Sequence, residues 1–195
     1  MKGMACGSMG LAVIVAVSGA RAEPARYTLD PEHTTIAFLV DHIGYAKVLG
    51  VFRELEGSFM FDEETGTLSD ILVSVQSSSV DTHHDDRDEH IRSDDFLDAR
   101  EFPTVRFAAD TGSRTGERSF DIEGRLQLLG RELPLTLNAV WNKSAEYPIA
   151  GRPYVIGVSA RTRLNRSDYG MSYAVDNGWV GDEVDLIIEF EARRN

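Results

Sequence analysis

Apolar and polar side chains alternate with a period of two through most of this chain, which restricts it to strands with one buried face. The cleanest run is SFDIEGRLQL, where Phe120, Ile122, Gly124, Leu126 and Leu128 alternate with Ser119, Asp121, Glu123, Arg125 and Gln127. The same rhythm gives Ile36, Phe38, Val40 and His42; Phe59 and Phe61; Ile71, Val73 and Val75; and Val105, Phe107 and Ala109. It continues through Leu133 to Trp141, through Tyr154 to Ala160, and through Val184 to Phe190. Turn signals at Glu63–Gly66, from Thr111-Gly112 to Gly116, at Gly130-Arg131 and at Gly151–Pro153 separate the runs. Phe52 and Leu55 are three apart while Leu55, Gly57, Phe59 and Phe61 keep period two, so a β-bulge is expected between Phe52 and Leu55. One-sided strands must bury their apolar faces together, in a sandwich or in a closed barrel that leaves no free edge. The clearest helix candidate is Asp85 to Ser93, and a single turn is expected over Arg166 to Met171.

The first residues follow a different pattern. Lys2, the apolar run MGLAVIVAVSGA and Ala20-Arg21-Ala22 have the layout of a secretory signal peptide with its cleavage site. Removal of residues 1–22 leaves residues 23–195 as one domain, long enough for a sizeable core. The formal charge of −12 becomes more negative once Lys2 and Arg21 are gone. Such a chain repels nucleic acid and anionic lipid surfaces. Cys6, the single cysteine, leaves with the signal, so the mature chain has no disulfide and no thiolate. Export without disulfides points to the periplasm, with secretion beyond it also compatible. No run after the signal is long enough for stable membrane insertion.

DTHHDDRDEHIRSDDFLD, residues 81–98, is the densest concentration of polar chemistry and holds three of the five histidines. Adjacent His83 and His84 cannot point the same way, and His83 and His90 are two helical turns, roughly 10 Å, apart. No H-x-x-x-H, H-E-x-x-H or G-x-S-x-G pattern occurs. A metal site is therefore not expected. A metal- or carboxylate-dependent hydrolase using His83, His84, Asp86 and His90 is the alternative kept open. The structural reading makes the stretch a helix over one end of the barrel, pinned by Arg87 and Arg92 pairing with carboxylates, with Phe96 and Leu97 anchoring its exit.

Ser79-Val80-Asp81-Thr82, the run Arg87 to Asp98 and Glu101-Phe102-Pro103 closely resemble the signature of the YceI-like family. The stretch YTLDPEHTTIAFLVDHIGYAKVLGVF and the ending GDEVDLIIEFEA resemble that family's first hairpin and last strand. The resemblance covers essentially the whole mature chain. It implies a lipocalin-like antiparallel β-barrel with one or two short helices and an elongated internal cavity. It further implies a periplasmic or secreted, non-enzymatic protein that binds a long amphipathic lipid such as a quinone or prenyl derivative. Some family members are associated with stress responses. No other cofactor is implied, and a homodimer is compatible with this reading. Residues 142–148 are short where many relatives carry a longer lysine- and glycine-rich segment, which is expected to alter the cavity mouth.

Core-facing positions on the strands are then candidates for the lining: Phe38, Val40, Phe52, Leu55, Phe59, Phe61, Val73, Phe107, Ile122 and Leu126. His42, Arg87, His90 and Arg92 are candidates for a polar group at the mouth or for holding the helix.

Overall fold

The computed structural model describes residues 24–149 and 151–195; the expected signal peptide lies outside the described residues. The ten strands are β1 (Ala25–His42), β2 (Ala46–Phe52), β3 (Leu55–Asp62), β4 (Thr67–Gln76), β5 (Val80–Asp81), β6 (Thr104–Arg114), β7 (Ser119–Leu128), β8 (Arg131–Glu146), β9 (Tyr154–Asn165) and β10 (Val180–Arg194). A single α-helix, α1 (Asp85–Arg92), lies between β5 and β6, and 3-10 turns occupy Ser77–Ser79 and Arg166–Tyr169. Every strand pairing is antiparallel. Pairing of β1 with β10, from Thr34↔Phe190 to Val40↔Val184, closes the sheet into an eight-stranded barrel.

Eight positions arise from ten strands because β2 and β3 share one and β4 and β5 share the next. Ile36–His42 of β1 pair with β2, while Ala25–Thr28 pair with β3. Between them the chain breaks at Arg53-Glu54, where the bulge was expected. Arg53 N donates to the Ser79 carbonyl at 3.1 Å, and the Glu54 carbonyl accepts from Gln76 N at 2.9 Å. The period slips because these two residues leave β1 for the end of β4, so the irregularity is a strand break.

The turn expected from Thr111 begins later. Strand β6 runs through Gly112 to Arg114, and the reversal is made by residues 115–118. A side chain at Gly112 would meet Leu68, so this glycine gives a neighbouring strand room.

Helix α1 forms where expected. Its sequence lacks glycine and proline. The His84 side chain accepts from Arg87 N, and Asp85, Asp86 and Asp88 sit in the first turn, favourable to the helix dipole. No helix among the described residues is long and apolar enough to cross a membrane.

Candidate ligand cavity

The alternating faces point inward, but they do not fill the barrel. A cavity of about 560 Å³ runs through it, within the range of small-molecule sites. An eight-stranded barrel is about wide enough for one such ligand.

The two ends differ. At one end the β3–β4 turn places the Glu63 carboxylate against Tyr27 Oη at 2.7 Å, Tyr154 Oη at 3.0 Å and Ser144 Oγ, three donors from three strands. Tyr27 is wholly buried and stacks on Phe59, ring centroids 5.4 Å apart. Burial first, and then the hydrogen bond to Glu63, push the Tyr27 phenol above its ordinary range, so it remains a donor. Phe61 packs edge-on against Phe120 and Trp141 just inside. This plug closes one end. Residues 142–148 belong here, because β8 starts at the other end and runs away from it. They lie at the closed end and not at the mouth, where the sequence had placed their effect.

The opposite end is open. Its rim is built from the β1–β2 turn, helix α1 and the segment between the Arg166–Tyr169 turn and β10. Asp41, His42, Ile43, Arg87, His90, Tyr173, Ala174 and Trp179 all line the cavity here.

Helix α1 lies against the backbone of residues 77–82. Asp88, buried, accepts from Thr82 N at 2.8 Å and Thr82 Oγ1 at 2.6 Å. Arg87 donates to Thr82 Oγ1 and the Thr82 carbonyl, both at 2.7 Å. Arg92 donates to the carbonyls of Ser78 at 2.8 Å and Val80 at 2.9 Å. The arginines thus pin the helix through a hydroxyl and backbone carbonyls, not through the carboxylates expected. The short β5 segment pairs only with β2, so its other backbone groups need these partners.

Among the candidate residues, Phe38, Val40, Phe52, Phe59, Phe61, Val73, Phe107, Ile122 and Leu126 face the cavity, as do His42, Arg87 and His90 at its open end. Two do not. Leu55, beside the strand break, packs half-buried against the core without reaching the cavity. Arg92 is committed to the backbone beneath the helix.

The histidines of the polar stretch each have a separate partner. His83 sits beside Asp81 at 3.7 Å, His84 caps the helix, and His90 Nε2 is 2.9 Å from Asp95. Asp86 is exposed on the first turn of the helix. Among the described residues the one clustering of metal-type ligands is Asp30, Glu32 and His33, at the irregular middle of β1. Asp30 there already accepts from both Arg193 and Glu32 N, with His33 Nδ1 at 3.0 Å. That is an internal ion pair.

Arg166 was not singled out by the pattern, yet it builds the rim. It is 2 % exposed and donates to the carbonyls of Met171, Tyr173, Val180 and Gly181 at 2.8–3.0 Å. Desolvation lowers its pKa from the ordinary value, partly offset by Asp182. It acts as a template around which residues 171–181 fold. Its only trace in the sequence is an arginine in a weakly helical, glycine-terminated stretch.

A closed antiparallel barrel around an apolar cavity, open at one end beneath a short helix, is the architecture of a lipocalin-like β-barrel. Residues 27–192 match the YceI-like domain. The chain belongs to the YceI-like family. A UPF0312 protein of Azotobacter vinelandii is 37% identical over 187 residues, 94% of this chain and 95% of that one. Among solved structures, Burkholderia cenocepacia BcnA has a TM-score of 0.74 at 14% identity, over 84% of this chain and 98% of that chain. A polyisoprenoid binding domain from Saccharophagus degradans has a TM-score of 0.65 at 14% identity, over 88% and 99% respectively.

Proposed function

We propose that this protein binds a long amphipathic lipid, a polyisoprenoid such as a quinone or prenyl derivative, inside the barrel, and performs no chemistry on it. The observation that carries this reading is the cavity itself, lined almost entirely by aliphatic and aromatic side chains and open at one end only. The isoprenoid chain lies against Phe38, Val40, Phe52, Phe59, Phe61, Val73, Phe107, Ile122 and Leu126. Each Å² of apolar surface withdrawn from water contributes about 25 cal/mol, so several isoprene units suffice for tight retention. His42, Arg87 and His90 receive the polar end at the mouth. The family and the fold shared with a polyisoprenoid binding domain support this assignment. The signal-like N-terminus supports action in the periplasm, as carrier, store or scavenger.

The test is purification of the mature chain without detergent, followed by solvent extraction and mass spectrometry. The expected result is an isoprenoid at near one per protein. An empty extract, with Trp141 emission indifferent to added quinone analogues, would sink the proposal.

A further inference from the structure

Soluble proteins keep hairpin tips polar, and the tip beside the cavity mouth breaks that rule. In the β1–β2 turn Tyr45 N donates to the His42 carbonyl at 3.1 Å, and both central residues have positive φ, +56° at Ile43 and +72° at Gly44. Such positions favour asparagine or glycine, and a β-branched residue there is strained. Leu129, with a similar φ of +51°, is repaid by packing against the core. Ile43 has no such cover: it is 46% exposed, and Tyr45 beside it is 89% exposed. Beside this turn, Trp179 is 59% and Tyr173 is 41% exposed, and the Trp179 carbonyl holds Ile43 N at 3.0 Å. Ile43, Tyr173 and Trp179 also line the cavity, so the exposed apolar rim is continuous with the apolar interior.

We propose that this rim, Ile43, Tyr45, Tyr173 and Trp179, is a membrane-docking surface that seats the cavity mouth on the interfacial layer of a zwitterionic bilayer. The inference rests on the lipid-binding reading above. A lipid drawn from a bilayer crosses this rim, and an apolar bridge there spares its tail from water. Tyrosine and tryptophan carry an apolar body and a polar tip, the pairing that suits the headgroup region. The charges around the rim favour a zwitterionic surface. Lys47 is paired with Asp185, Arg87 is bound to Thr82, and Arg166 is buried under carbonyls. The rim thus offers no free cationic cluster among the described residues, and the chain as a whole is strongly acidic.

The experiment measures co-sedimentation of the mature chain with phosphatidylethanolamine/phosphatidylcholine vesicles, and Trp179 emission, for the unaltered chain, Tyr45→Ser and Ile43→Asn. The unaltered chain is expected to sediment with vesicles and to shift its emission to the blue. Each substitution should lower partitioning about tenfold, the cost of losing one buried apolar side chain. Ile43→Asn, better suited to the turn, should raise the thermal midpoint while weakening docking, which separates loss of docking from loss of folding. Tyr45 lies outside the cavity, so Tyr45→Ser should bind a water-dispersed quinone analogue unchanged.

Absence of vesicle association overturns the proposal, as does association that both variants retain. Association confined to phosphatidylglycerol vesicles and abolished by salt overturns it too. So does a dimer that Tyr45→Ser dissolves, which would assign the rim to a second copy of the chain. Vesicle docking by a protein that binds no quinone analogue would uphold the docking surface while removing the proposed cargo.

Discussion

Gly124 shows how one residue shapes the interior. It lies on the apolar face of β7, where the alternation calls for a large side chain. A Cβ there would stand 2.4 Å from the Phe107 ring and 2.6 Å from the Ala108 carbonyl oxygen. The ring can turn, but the backbone oxygen cannot. Gly124→Ala is expected to cost about 1–3 kcal/mol, roughly 2–4 °C in thermal midpoint for each kcal/mol in a domain of this size. Phe107, displaced toward the cavity, should also weaken lipid binding, read as the midpoint of a quinone-analogue titration. No change in either quantity would mean that the ring and the β6 backbone both give way freely. The inward side of Gly124 was legible from period two; the ring lying across it was not, because that contact comes from β6.

Which face of each strand turns inward was legible because one period-two pattern repeats through every long strand. What lies at each end of those strands was not. The break at Arg53-Glu54 registers in sequence only as a slipped period, and a bulge and a break leave the same trace. Leu55 follows the break and stays out of the cavity, although it shares the spacing of Gly57, Phe59 and Phe61. Helix α1 was visible from its composition, whereas its attachment was not: a charge-rich sequence suggests salt bridges, and the structure uses Thr82 and bare carbonyls. Asp88 is the centre of that attachment. Asp88→Asn keeps the shape but turns one charge-assisted acceptor into a neutral amide, and is expected to cost about 1–3 kcal/mol. Hydrogen exchange should locate the loss in residues 82–93, with the long strands retaining their protection. Uniform loss across the barrel would show instead that the helix is part of the global folding unit.

At the scale of the molecule, the seam between β1 and β10 decides whether the barrel closes, and ionised carboxylates stitch it and the β9–β10 pairing beside it. Asp30 of β1 accepts from Arg193 of β10 at 2.6 Å. Asp185 of β10 accepts from Arg163 of β9 at 2.6 Å and from Lys47 of β2, and Glu189 of β10 accepts from Arg161 of β9 at 2.5 Å. Burial raises the Asp30 pKa, but the bonds from His33 and Arg193 outweigh it and hold the carboxyl below its ordinary value. The bonds from Lys47 and Arg163 lower Asp185, and those from Ser159 and Arg161 lower Glu189 against desolvation. A depressed carboxylate contributes stability that is complete above its unfolded-state pKa, near 4, and is lost as the pH falls through the folded value. His33 has the opposite sign. Its bond to Asp30 raises its pKa above 6.5, so its contribution is complete below that value and fades as the pH rises through the folded one. Stability from this seam should therefore be greatest between about pH 4.5 and pH 6.5, falling steeply on the acid side and gently on the alkaline side. Asp30→Asn removes one acid-side contribution and, with it, the partner that raises His33. Thermal midpoints of this variant, followed from about pH 3 to pH 8, should lie below the unaltered chain across the plateau and converge with it at the acid limit, where Asp30 is protonated in both states. Parallel curves that never converge would show that the Asp30 side chain holds the seam by its shape and not by its charge.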